Sequence, residues 1–109
     1  EAAEAADANR PVRAFVQGRI ALDEARHADA VDAFQRALDA ARDAKRAPLA
    51  DLRVYAADAL ARAGRRADAE LLLTDELAEF PANVRARSAL QALLRSGGRA
   101  KEAAALRPR

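Results

Sequence analysis

Residues 63–70 read AGRRADAE, and residues 97–104 read GGRAKEAA. The two phrases lie 34 residues apart, and neither contains an obvious catalytic group. A third copy, EARHADAV, stands at 24–31, so the small residues Ala30, Ala69 and Ala103 align at intervals of 39 and 34. A recurrence in the range of roughly 20–50 residues marks stacked supersecondary units, none of which can bury its apolar face alone.

Each copy sits at the junction of two helical patterns. In the middle copy Leu49, Leu52, Ala56, Leu60 and Ala63 recur at spacings of three and four. Gly64 interrupts, and Ala69, Leu72, Leu73, Leu77 and Phe80 then resume the pattern. The expected local structure is helix, tight turn, helix. Gly64 suits a turn through positive φ, and Arg65 with Arg66 can supply donors near the last carbonyls of the first helix. Pro81 forces Phe80 out of the helical region and stops the second helix. A further helix is expected after PAN, through Val84, Leu90, Leu93 and Leu94 to SGG at 96–98, and a short last one from about Arg99 to RPR.

Upstream, Pro11 fits the first turn of a helix with Asn9 as its cap, running to about Glu24. Its partner carries Ala30, Phe34, Ala37, Leu38 and Ala41 and meets no stop before Pro48. The five extra residues of the first interval therefore predict a longer helix, to about Arg46. Residues 1–8 are helix-prone but nearly devoid of large apolar groups, either the remnant of a preceding helix or a frayed tail.

Composition agrees with an all-α class. Alanine accounts for 33 of the 109 residues and leucine for 13, with three Phe and one Tyr, so the core is thin and made by closely approaching backbones. No apolar run approaches the ~20 residues that span a bilayer. Cysteine is absent, which removes disulfides and thiolate metal sites. The net charge is only +2 although the pI is about 9.7. Seventeen of the nineteen basic residues are Arg, interleaved with acids, and build no strong field. The abundance of Ala and Arg suits a bacterium with a GC-rich genome.

The pattern resembles the tetratricopeptide repeat (TPR) family, whose unit is 34 residues folded as two antiparallel helices. With Ala30, Ala69 and Ala103 on the family's inner alanine, its small first-helix residue falls on Gly18, Ala57 and Gln91. Its turn position falls on Ala25, Gly64 and Gly98, its second-helix aromatic on Phe34, Leu73 and Arg107, the following alanine on Ala37 and Glu76, and its closing proline on Pro81. The family's tryptophan position carries Ala14, Arg53 and Arg87, and its tyrosine position Ala21, Leu60 and Leu94, which are departures. The resemblance implies one α-solenoid domain, a right-handed superhelix of antiparallel helix pairs at about 11–46, 48–80 and 83–107. The third unit is cut partway. The chain is thus expected to be the tail of a longer protein, or to have its exposed end helices covered by a partner or by a second copy in a homodimer.

The resemblance further implies protein–protein interaction, with no catalysis and no cofactor. TPR arrays hold a peptide or partner protein on a concave face lined by the first helix of each unit. The positions implied here are Val12, Phe15, Arg19 and Leu22; Asp51, Val54, Asp58 and Arg62; and Arg85, Ser88, Ala92 and Arg95. Phe15, Val54 and Ser88 stand where chaperone-binding members carry a carboxylate clamp, so that clamp is absent. An arginine-biased groove remains, from Arg19, Arg62, Arg85 and Arg95, offset by Asp51 and Asp58. It suits an acidic peptide segment through guanidinium–carboxylate contacts; the same residues also read as solvated helix-face charges. Phe15 and Tyr55 are the large side chains left to anchor a partner or to fill space between helices, since Phe34 and Phe80 are expected to pack inward.

Other motifs carry little chemistry. His27 is the sole histidine, which precludes a histidine metal cluster or relay, and carboxylate pairs such as Asp75 with Glu76 read as helix-surface charges. SGGR lacks the preceding strand that gives a glycine-rich phosphate loop its meaning. Basic residues without interleaved exposed aromatics argue against nucleic-acid binding. Two other readings use the same residues: a docking or regulatory segment of a larger bacterial enzyme or export system, and a helical-repeat nucleic-acid binder.

Overall fold

A computed structural model describes residues 10–46, 48–49 and 51–106. The expectations for residues 1–8, Asn9 and Arg107 lie outside the described residues. Among those described, the chain is all-helical and has no strand. Its helices are α1 (Arg10–Asp23), α2 (His27–Asp43), α3 (Leu52–Arg62), α4 (Arg66–Glu79), α5 (Val84–Ser96) and α6 (Ala100–Ala104). Each helix packs on its neighbours in the chain, and the first helices of successive pairs also touch, α1 on α3 and α3 on α5. The molecule measures 51 × 30 × 17 Å. No described helix is long and apolar enough to cross a membrane.

The repeated phrase is a repeated backbone. Ala25, Gly64 and Gly98 all have positive φ, at 59°, 83° and 78°. Their N–H groups donate to Leu22, Ala61 and Arg95, and those of the next residues, Arg26, Arg65 and Arg99, reach five residues back to Ala21, Leu60 and Leu94. This paired closure satisfies carbonyls that a helix end leaves open. Arg26, Arg65 and Arg99 then each pair with an acid three residues on, Asp29, Asp68 or Glu102, which sits in the first turn of the new helix. A carboxylate there favours the positive end of the helix dipole. Arg99 holds the Glu102 carboxyl below its ordinary range by hydrogen bonding, against the opposing effect of desolvation. One residue further, Ala30, Ala69 and Ala103 are each fully buried.

A fourth closure of the same kind ends α2. Lys45 has φ 55°, and Lys45 and Arg46 donate back to Arg42 and Ala41. For that reason α2 stops at Asp43 and not at the expected Arg46. The next helix also starts later than the Leu49 periodicity predicts, because Asp51 is left-handed at φ 62° and α3 begins at Leu52. Leu49 lies in the connection and packs against the core from there.

The core is thin, as the alanine content predicts. Phe34, Leu52 and Leu73 are the largest fully buried side chains among the described residues, and most of the other buried positions are alanines. Phe80 is a correction: as the C-cap of α4, at φ −128° and ψ 77°, it is 44% exposed instead of packed inward. Arg66 is another, since it donates to Leu93 O at 2.9 Å and to Ser96, at the end of α5 and not of α3. Glu76 is a third. It is buried, not a surface charge, and it meets Arg53 at 3.1 Å and Asn83 Nδ2 at 2.8 Å. Burial works against the charge on Arg53, and hydrogen bonds to Glu79 and Glu76 outweigh it, so its pKa is raised.

Candidate functional site

Three aromatic rings run from the core to the surface across the first three helices. Phe34 of α2 is fully buried, and its centroid lies 6.0 Å from Phe15 of α1 and 6.3 Å from Tyr55 of α3. Phe15 meets Tyr55 edge-on at 5.5 Å. Edge and offset contacts at such distances stabilise aromatic pairs beyond their buried area. Phe15 and Tyr55 are half-buried.

Two guanidinium groups gather on Tyr55. Arg19 of α1 stands 4.4 Å from the ring centroid and Arg85 of α5 stands 5.7 Å from it, both within reach of a cation–π attraction. Arg85 is also paired with Asp51 at 2.8 Å. The Tyr55 hydroxyl and the Asp51 carboxylate both hold it further into its charged form. Asn83, whose side chain caps α5 by accepting from Ala86 N–H, ties Glu76 and Asp51 together beneath this group. A helix cap thereby fixes the carboxylate that fixes Arg85.

Beside Tyr55, α3 and α5 enclose an open cavity of about 540 Å³ with α4 as its floor. Val54 and Asp58 line it from α3, Arg85, Ala89 and Ala92 from α5, and Leu73 from α4. The alanines leave the room, and the polar groups stand at the rim.

Of the residues expected on a binding face, the structure brings Phe15, Arg19, Val54, Asp58 and Arg85 around Tyr55 and its cavity. Arg62 is engaged within its own helix by Asp58 at 3.0 Å. Arg95 is exposed in the last turn of α5 and is not among the residues lining the cavity. Tyr55 itself is the centre of the arrangement, and only its size singled it out in the sequence. Among the described residues no group of three or more His, Asp or Glu side chains is placed to hold a metal ion.

Comparison of the chain with protein-family models, with curated proteins and with solved structures found no match in any of the three.

Proposed function

We propose that this chain is a partner-binding α-solenoid of the TPR type, with no catalysis of its own, that holds an acidic segment of a protein or peptide beside Tyr55. The three equivalent hinges and the chain-neighbour packing support the repeat architecture. The observation that carries the binding reading is the pair of guanidinium groups on one half-buried tyrosine, next to an alanine-lined cavity. Solvated helix-face arginines would not be expected to converge from two helices on one ring. Arg85, already turned by Asp51 and Tyr55, loses less side-chain entropy on binding a carboxylate than a freely rotating arginine would.

The chain offers its own reporter. Tyr55 is the single tyrosine and tryptophan is absent, so tyrosine emission reads this site alone. Titration with a glutamate-rich peptide should change that emission saturably, and the glutamine analogue should not. The affinity should fall with added salt and drop at least ~10-fold in Arg19→Gln or Arg85→Gln. Equal response to both peptides, or none to either, rejects the proposal.

A further inference from the structure

α1 is apolar on two opposite faces. One face carries the buried Pro11, Ala14, Gly18 and Ala21. On the other, Val12, Val16 and Ile20 recur every four residues and are 47%, 48% and 49% exposed. A surface helix ordinarily keeps its outer face polar, and one with apolar residues on both sides is built to be covered on both.

The charges of α1 are reversed with respect to its dipole. Its first turn contains Arg10 and Arg13 and no acid; its last contains Asp23 and no base, with Glu24 following. Basic groups at an N-terminus and acidic ones at a C-terminus destabilise a lone helix. Within the chain, α2 offsets part of this through Asp43, which lies 3.6 Å from Arg10 at the surface. An antiparallel copy of α1 would offset the whole of it, because each basic end would then face an acidic end.

We infer that α1 is the contact through which two copies of this chain associate, antiparallel, across Val12, Val16 and Ile20. Centred on Val16, this register sets Val12 of each copy against Ile20 of the other and Val16 against its counterpart. It also brings Arg10 close to the level of Asp23 and Glu24, while Arg13 comes level with Arg19. Arg13 and Arg19 project on opposite flanks of the stripe, so no like charges meet across the axis. A parallel pair would set Arg10 against Arg10. Helices of 14 residues are about 21 Å long, and a pair of them buries less than the ~1,200–2,000 Å² of a standard interface. The dimer therefore dissociates on dilution.

Sedimentation equilibrium of the chain from ~1 µM to ~1 mM tests this. Wild type should pass from monomer to dimer over that range. Val16→Glu should raise the dissociation constant at least ~10-fold with unchanged far-UV circular dichroism, since the position is exposed and Glu favours helix. Arg10→Glu should also weaken the dimer while improving the helix dipole, and adding Asp23→Arg should restore it. A wild-type monomer throughout overturns the inference, as does a dimer that survives Val16→Glu, which places the contact on another face. Failure of the double swap to restore association, or a mixed dimer of Arg10→Glu with wild type that is tighter than the wild-type dimer, overturns the antiparallel arrangement. None of these outcomes depends on the Tyr55 site.

Discussion

Gly18 is the closest approach of α1 to α2. A Cβ placed on it would stand 2.6 Å from two carbons of the Phe34 ring, well inside any tolerated contact. Phe34 is fully buried and braced by Phe15 and Tyr55, so it has little freedom to withdraw. Two effects oppose each other in Gly18→Ala. Helix propensity favours alanine by ~1 kcal/mol, and overpacking costs ~1–3 kcal/mol. Packing should win or balance, and chemical denaturation should show a loss of up to ~2 kcal/mol; a gain would mean that α1 and α2 cross elsewhere. The need for a small residue here was implied by the resemblance to the TPR pattern. What stands opposite was not, because contact between Gly18 and Phe34 depends on how two helices turn about their own axes, which no short motif encodes.

At the scale of elements, the hinges were the most legible part of the chain and the helix ends the least. Gly64 and Gly98 announce positive φ because glycine tolerates it without a steric penalty. Ala25, Lys45 and Asp51 adopt the same region with side chains that give no such signal. The missed closure at Lys45 is why the end of α2 was placed three residues late. The Arg53–Glu76 pair was hidden for a different reason. Each residue looks like a defect when taken alone, a charge where the resembling pattern has tryptophan or alanine, and together they cancel across α3 and α4. Both are largely buried, with side-chain exposures of 16% and 8%. Glu76→Ala should therefore cost ~1–3 kcal/mol, because it strips Arg53 of one carboxylate and Asn83 of its nearer acceptor. Replacing both residues with apolar ones, Arg53→Leu with Glu76→Ala, should recover most of that loss. A double-mutant cycle measures the coupling directly, and additive losses would show the two side chains to be independent.

The whole molecule is organised along one direction. Among the described residues, contacts join each helix to its chain neighbours and each first helix to the next first helix, and no other pairing brings distant elements together strongly. Stability in such an array is close to a sum of units and their interfaces, so it is not uniform along the chain. α3 and α4 have neighbours on both sides. α6 is five residues long and packs principally on α5. The C-terminal pair should accordingly open first, and the amides of α3 and α4 should be the last to exchange. Hydrogen exchange at low protein concentration, where α1 is not covered by a second copy, should give protection rising from α6 through α5 to α3 and α4, with α1 and α2 intermediate. The large α1–α2 contact and the Phe34 cluster keep the N-terminal pair above the C-terminal one despite its exposed outer face. A single protection level across all six helices would mean that the chain unfolds as one cooperative block. In that case the Tyr55 site, which draws residues from α1, α3 and α5, would be as rigid as the core. Graded protection would instead make the position of Arg85 depend on how firmly α5 is held. An acidic partner bridging Arg19 and Arg85 would then slow exchange in α5 more than in α3.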